Sequence, residues 1–427
     1  VAGAVSIAVT ALALGTTAWL FTRYPGVLVG GVANPDPTGH VDFETFWRST
    51  VALLHGTDTY RTGSVLPNLN PPFLSLLLAP LGVLSVMPSY WVFTALTVVV
   101  VSWSVLAVAR ELRLGAWATA FGLVAMWACS PLHGTLMLGQ IYGLLLAGLT
   151  AAWLVQRRGR EQLSAVLLGA VVALKPSLAP VLLIPLMQRR GASAERPSAR
   201  RWPALWTGVG SAAGFSLVGV LAAGPSSALD WLRLASSTPA PEFDANASLP
   251  GVVARLGGPG AIGWLVTVLV VAGSLWWVRR AAPSARPGTT VGPEDAAIFA
   301  VAAGCLLAAP IAWLNYMVML WPGALILLRA GRWHQAVPLL VLPVIPVAWG
   351  NLWMADPHTA GAIIGRSLYC AVLLAYWVAL LAFSSDRSPT SQSTPAGGTR
   401  STAEAGRPCH GDELATTAPR LPTPEPP

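Results

Sequence analysis

Residues 171–186 read VVALKPSLAPVLLIPL, and the lysine in the middle of this apolar run decides how the chain is threaded. Lys175 is the only lysine among 427 residues, all other basic side chains being arginine. The run from residue 163 to 188 has arginines on both flanks, RRGR (Arg157, Arg158, Arg160) before it and Arg189-Arg190 after it. Short arginine-bearing loops lie on the cytoplasmic side of a membrane. A single crossing would put these two flanks on opposite sides. Lys175-Pro176 cuts the run into halves of about 12 residues, each reaching about 18 Å, and proline disfavours helix at the residue before it. The reading is a helical hairpin that returns to its own side. Irregular backbone at that depth survives only against protein or a wet cavity.

The rest of the chain agrees with a membrane setting. Hydrophobic residues make up 54% and charged residues 10%, against roughly a quarter charged in soluble domains. About 20 apolar residues cross a bilayer as a helix, and ten candidate spans are read near residues 4–22, 88–109, 114–132, 138–156, 204–223, 260–278, 295–313, 316–330, 333–350 and 361–383. The expected fold is an all-α polytopic membrane bundle of about 10–12 spans, some of them short or re-entrant. The segment from Pro71 to Pro88 is a second sub-length element, re-entrant or interfacial. The first apolar stretch lacks a basic start and is read as a retained helix, not a signal peptide. Cys129, Cys305, Cys370 and Cys409 have neither disulfide nor metal-ligand spacing.

The net charge of +8 sets orientation, not partner choice. Arginines gather in RELR (Arg110, Arg113), RRGR, residues 189–201, residues 279–286 and LLRAGR (Arg329, Arg332). Asp36, Asp42, Glu44, Asp58, Asp230, Glu242, Asp244 and Asp356 fall in the opposite set of loops. Nucleic acid is therefore not expected as a partner. The amino terminus is placed inside, with residues 23–87 and 224–259 as long extracytoplasmic loops within a membrane domain spanning 1–385. Residues 386–427, rich in Pro, Ser, Thr and Gly, are expected as a disordered cytoplasmic tail.

Several side chains could carry chemistry. Lys175 is read either as a lysine that snorkels or caps a helix break or as a point charge for a lipid phosphate. No Walker-type glycine loop precedes it, which argues against nucleotide phosphate. Phe43, Phe46, Trp47, Val51 and Leu54 recur at helical spacing, an amphipathic helix on the membrane face. Asp42 at its start has two readings, helix cap or general base on an acceptor hydroxyl. Glu44 points to another side of the helix, and Asp58 in HGTDTY reads as a turn residue. Trp313, Asn315 and Tyr316 are either interfacial anchors or the lining of a sugar pocket. Arg233, Glu242, Asp244, Asn246 and Arg255 in the second long loop could form a lid or acceptor site. HExxH, GxSxG and Cys/His clusters are missing. No metal and no cofactor are expected.

Four stretches in order resemble glycosyltransferase family 87, the multi-spanning GT-C enzymes that include actinobacterial polyprenol-phosphate-dependent mannosyl- and arabinofuranosyltransferases. They are VDFETFWRSTVALLHGTDTYRTG followed by NPPFLSLLLAPLG, then MLGQIYGLLLAGLTAAWL, then VVALKPSLAPVLLIPL, and finally SPLHG with APIAWLNYMVMLWP as flanks of the core spans. The resemblance implies that Asp42 matches the family's proposed catalytic carboxylate, that Asp58 and Tyr60 belong to its Gly-x-Asp-x-Tyr motif, and that Lys175 meets the lipid-phosphate donor. Two departures stand out. Asn315-Tyr316 replaces a His-Tyr pair of some relatives, and Asn70 stands where an aromatic often precedes Pro-Pro.

The expectation is a membrane glycosyltransferase of the cell envelope. It moves a sugar, mannose first and arabinofuranose next, from a polyprenyl phosphate to an extracytoplasmic glycolipid or glycan. Asp42 is the base, with Lys175 and Arg233 or Arg255 on the phosphate. Glu44, Asp58, Tyr60, Asn246, Trp313, Asn315 and Tyr316 are candidates for sugar or acceptor contacts. A lipid-linked sugar flippase is the alternative.

Overall fold

The computed structural model describes residues 1–24, 36–187, 201–280 and 291–384. The expected tail and most of the arginine loops at 189–201 and 279–286 lie outside these residues. Among the described residues the chain is helical, joined by 3-10 segments, with one isolated antiparallel bridge, Asn246 to Trp313.

In chain order the helices are α1 (Ala2–Arg23), α2 (Val41–Leu54), α3 (Pro72–Leu77), α4 (Val86–Glu111), α5 (Ala116–Ala128), α6 (Ser130–Leu138), α7 (Tyr142–Arg157), α8 (Glu161–Leu174) and α9 (Ile184–Met187). They continue with α10 (Arg201–Ala223), α11 (Pro225–Ser237), α12 (Leu249–Arg255), α13 (Gly260–Arg280), α14 (Ala297–Ala308), α15 (Trp321–Arg329), α16 (Trp333–Val341), α17 (Ala360–Arg366) and α18 (Leu368–Ser384).

Four helices, α1, α4, α10 and α13, are each long and apolar enough to cross a membrane. Three bent pairs raise the number to seven: α5 with α6 (51°), α16 with the 3-10 turn Val347–Trp353 (72°), and α17 with α18 (56°). The remaining stretches of the expected ten are shorter. The expected spans at 295–313 and 316–330 are in fact α14, an extended link, a 3-10 run Leu314–Leu320 and α15. Every residue of α14 is buried. The five alanines and one glycine of AIFAVAAGCLLA let neighbouring helices come close, the mode by which helices associate in a membrane. By contrast α1, α10 and α13 keep most of their apolar surface exposed, as helices facing lipid would.

The stretch around Lys175 does fold as a hairpin. α8 stops at Leu174, Lys175 is non-helical (φ −140°, ψ 84°), and a 3-10 segment Pro176–Leu183 leads into α9. α8 and α10 run side by side in the same direction. A Cβ at Gly169 would stand 2.7 Å from Gly208 O and from the Ser211 side chain, while Gly208 faces Ala165 one turn lower. Leu182 reaches that same Gly208, where a Cβ would meet it at 3.1 Å and the Ala165 carbonyl at 3.4 Å. Residue 182 has therefore come back to the level of residue 165, as the arginine flanks required.

Polarity along the bundle follows from α7. At its last turn Arg157 donates to Glu111 at the end of α4 (3.1 Å) and to Asp295 just before α14 (2.5 Å). Its first turn, with Tyr142, lies about 22 Å away at 1.5 Å per residue. The helix breaks discussed next lie at that far end.

Candidate active site

Asp42 is fixed by what precedes it. Asp36 caps a 3-10 turn, Pro37–His40, by accepting from the Thr38 N–H (2.9 Å). His40 stacks on Tyr90 with ring centroids 3.7 Å apart, and its Nδ1 donates to the Met137 carbonyl (2.6 Å). α2 then starts with His40 at the cap position, so Asp42 is not a cap; it lies inside the first turn. The apolar face of α2 is spent on the bundle: Phe43 and Phe46 are buried, and Phe43 packs against Tyr90 and Phe93 of α4. Asp42 instead accepts a hydrogen bond from Gln140 Nε2 (2.5 Å). α2 is not one of the spanning helices, and burial raises its Asp42 carboxyl from 3.8 to about 6 against the lowering effect of that hydrogen bond. An acid tuned there changes charge near neutrality, as a general base should.

Gln140 reaches Asp42 because α6 ends on Gly139 in the left-handed region (φ 68°). Glycine is needed there twice, since a Cβ would also collide with Phe43. The next helix, α7, opens with Tyr142, whose ring lies 4.1 Å from that of Tyr316. Lys175 Nζ stands over the Tyr316 ring, 4.7 Å from its centroid. Among the described residues no carboxylate lies within ion-pair distance of this ammonium. Ser177, two residues on, has a buried hydroxyl without a hydrogen-bond partner.

Asp42, Gln140, Tyr142, Lys175, Ser177 and Tyr316 all line one cavity of about 310 Å³. That volume is at the lower end for small-molecule sites, enough for a sugar ring and an anionic group beside it. The loop around Asn70-Pro71 forms one wall, and Trp231 and Trp313 are part of the lining. Trp231 comes from α11, which is tied across the cavity by Trp231 Nε1 donating to Leu69 O (3.1 Å) and by Asp230 pairing with Arg61 (3.3 Å). Asn246 keeps Trp313 in place. Its Nδ2 donates to Pro241 O (3.0 Å) and Pro310 O (3.1 Å), its Oδ1 accepts from Ala312 N (3.0 Å), and the bridge adds Ala247 N to Ala312 O (2.7 Å) and Leu314 N to Ala245 O (2.8 Å).

Of the residues expected from the sequence, the cavity thus gathers Asp42, Lys175, Trp313 and Tyr316. The others fall elsewhere. Glu44 turns away and pairs with Arg48 (2.8 Å). Asp58 accepts from the Tyr60 N–H (2.8 Å) in a turn and pairs with Arg61 (3.3 Å). Tyr60 donates to Asn70 O (2.7 Å) and supports the cavity wall from behind. Asn315 is buried against Gly134. Arg233 is largely exposed and pairs with Asp230 (3.0 Å). Arg255 is buried; its Nε donates to Ser367 Oγ (3.3 Å) and its Nη1 to Phe243 O (2.8 Å) and Asn246 O (3.2 Å), while its Nη2 has no hydrogen-bond partner, so it clamps loops and is not part of the cavity lining. Gln140, Tyr142 and Trp231 were not singled out from the sequence. An amide at the end of an apolar helix, directly after a glycine, was the signal available for Gln140. Among the described residues no His, Cys, Asp and Glu cluster is placed to hold a metal ion.

Comparison with known proteins points the same way. The chain is 33% identical over 158 residues to an alpha-(1→3)-arabinofuranosyltransferase of Mycolicibacterium smegmatis, covering 35% of this chain and 36% of that protein. It is 31% identical over 157 residues to the alpha-(1→3)-arabinofuranosyltransferase of Mycobacterium tuberculosis, covering 35% and 36%. The matched stretch thus spans about a third of the length of these curated relatives. The model of glycosyltransferase family 87 matches residues 68–303, more than half of the sequence and including the Gln140 loop, the Lys175 hairpin and α11. The chain belongs to glycosyltransferase family 87.

Proposed function

We propose that the protein is a membrane glycosyltransferase that takes a sugar from a polyprenyl phosphate and passes it, with inversion, to a hydroxyl of a glycolipid or glycan acceptor. One observation carries this reading: a lone carboxylate, Asp42, and a lone ammonium, Lys175, come from segments far apart in sequence to a single aromatic-lined cavity. In the step, the acceptor oxygen attacks the anomeric carbon as the bond from that carbon to the phosphate oxygen breaks. The acceptor proton passes to Asp42, and the polyprenyl phosphate leaves with the bonding pair. Lys175 offsets the charge growing on the leaving phosphate, with the unpartnered Ser177 hydroxyl beside it as a neutral donor. The two tryptophans, Trp231 and Trp313, offer faces for the sugar, while the Tyr316 ring is taken up by Lys175 and Tyr142.

The choice of sugar moves from mannose to arabinofuranose, because the named relatives are arabinofuranosyltransferases. The cavity is proposed to face the extracytoplasmic side, since Arg157 and its neighbours mark the opposite end of α7. The test presents purified protein in lipid with polyprenyl-phosphate arabinofuranose, polyprenyl-phosphate mannose and a membrane glycolipid extract. Transfer of label by wild type, lost in Asp42→Asn with donor binding retained, supports the reading. Equal transfer by Asp42→Asn overturns it, and movement of donor across the bilayer without transfer would favour a flippase.

A further inference from the structure

Asp42 stands in the first turn of α2 with little local help in holding its side chain. The terminal torsion of an aspartate is broad, and a reacting carboxylate must be held within about half an ångström of its working geometry. Among the described residues Gln140 is the one hydrogen-bond donor to that side chain. The residue that carries the amide is held in place. Gln140 is 6% exposed, its backbone N–H donates to Thr135 O (2.8 Å), and it lies between the left-handed Gly139 and the first turn of α7.

We propose that Gln140 is a positioning residue: its Nε2 holds Asp42 Oδ2 in one orientation and leaves Oδ1 as the oxygen presented to the acceptor hydroxyl. The inference rests on Asp42 being the base. A glutamine suits the task for two reasons. It donates without bringing a charge that would neutralise the base, and it does not titrate at working pH, so it does not compete with Asp42 for the acceptor proton. An arginine or lysine there would form an ion pair and suppress basicity.

The surroundings leave this role to Gln140. The titratable groups in the cavity with Asp42 are Lys175, Tyr142 and Tyr316. On the elements packed against the start of α2, His40 is engaged with Tyr90 and Met137, and His133 of α6 meets the Trp127 carbonyl (2.8 Å). Among the described residues none of the basic groups lies within ion-pair distance of Asp42. Gln140 therefore supplies the close contact that favours the charged carboxylate against burial.

The experiment compares Gln140→Leu, which fills similar volume without donating, Gln140→Asn, which withdraws the amide by one methylene, and Gln140→Glu. Each is purified in lipid and checked by elution profile and by binding of polyprenyl phosphate. Two readouts follow: kcat and donor KM across pH, and infrared titration of the Asp42 carboxyl with Asp42→Asn as blank. For Gln140→Leu the expected result is a donor KM within about twofold of wild type, a lower plateau kcat, and an acidic limb moved up by about one to two pH units, the size of one charge-assisted hydrogen bond. Gln140→Asn should fall between Leu and wild type. Gln140→Glu should transfer only in the window where the added carboxyl keeps its proton.

A folded Gln140→Leu with wild-type kcat and an unmoved limb overturns the proposal. Should Leu fail to fold, a Gln140→Asn protein with wild-type kcat and pH profile does the same. The infrared arm separates the two readings. A carboxyl titration unmoved by Gln140→Leu refutes the positioning role even where wild type transfers. A moved titration in a wild type that transfers from no donor supports the Gln140 contact and sinks Asp42 as base.

Discussion

Replacing Lys175 by methionine should separate function from stability, because the two effects have opposite signs. The substitution keeps an unbranched stem against Tyr316 and removes only the ammonium. A charge-assisted hydrogen bond to phosphate contributes about 1.5–3 kcal/mol, so affinity for polyprenyl phosphate should fall about 10- to 150-fold at about 1.4 kcal/mol per decade. On the stability side the variant loses one cation–π contact, worth about 0.5–2 kcal/mol. It also relieves the desolvation of a half-buried charge that has no described carboxylate beside it, a cost of at least similar size. The Tm in lipid or detergent should therefore hold or rise while donor binding collapses. Lys175→Arg should recover part of the affinity, since charge returns with a different geometry. The assay is equilibrium binding of a short-chain polyprenyl phosphate alongside a thermal melt. A folded Lys175→Met protein that binds this ligand as wild type does would refute the assignment, and a large drop in Tm would show the ammonium to be a structural element of the hairpin.

Other substitutions test the site from different sides. Transfer should lose its acidic limb near pH 6 in Asp42→Asn, where residual activity is flat with pH. The sign for stability is set by a folded value, about 6, above the unfolded 3.8: burying Asp42 costs nothing below the unfolded value, where it is protonated in both states, and the cost grows as pH rises to about 6. Asp42→Asn should thus stabilise at pH 8, by no more than about 3 kcal/mol, and have little effect at pH 4, as melts at the two pH values will show. Arg233→Ala should transfer within about twofold of wild type, because the side chain is exposed and pairs with Asp230 outside the cavity; a tenfold rise in donor KM would return it to the phosphate site. Asn246→Ala strands buried carbonyl and N–H groups at Pro241, Pro310 and Ala312, so it should destabilise by roughly 2–4 kcal/mol, read as a lowered Tm.

Membrane class, hairpin and two of the cavity's charged residues, Asp42 and Lys175, were legible in the sequence. The arginine flanks of residues 163–188 demanded a return to one side, and Gly208 meets both Ala165 and Leu182. Lys175 stood out because a charge in an apolar run is costly. Asp42 was visible as a carboxylate at a helix start, and the structure removes the cap reading by putting His40 at that position. The remaining polar residues misled for a shared reason. Arg255, Asn246 and Tyr60 look like ligand contacts in a linear reading, but irregular loops leave backbone carbonyls to satisfy, and these side chains donate to such carbonyls away from the cavity lining. Gln140 and Trp231 were missed because their relevance depends on long-range partners, Asp42 and Leu69, that no local pattern encodes.

The same backbone accounting explains why several expected spans became short or bent at the cavity end. A continuous helix satisfies its own N–H and C=O groups and presents only side chains, which in a membrane leaves no room for an ionic site. Here α8 stops at Lys175, α14 stops at Ala308, and α7 begins only after the left-handed Gly139. Each interruption frees backbone groups, and the protein satisfies many of them internally: Leu178 N on Lys175 O, Ala247 N on Ala312 O, Leu314 N on Ala245 O, Gln140 N on Thr135 O. Three breaks at one end of the bundle create a recess into which a carboxylate and an ammonium can both project. A bundle of uninterrupted spans would have been simpler to stabilise, so the breaks make physical sense as the structural cost of a polar cavity in an apolar bundle. Restoring helix at the break, for instance by Pro176→Ala, should therefore reduce binding of polyprenyl phosphate even though it removes no charge and no hydrogen-bond donor from the cavity lining.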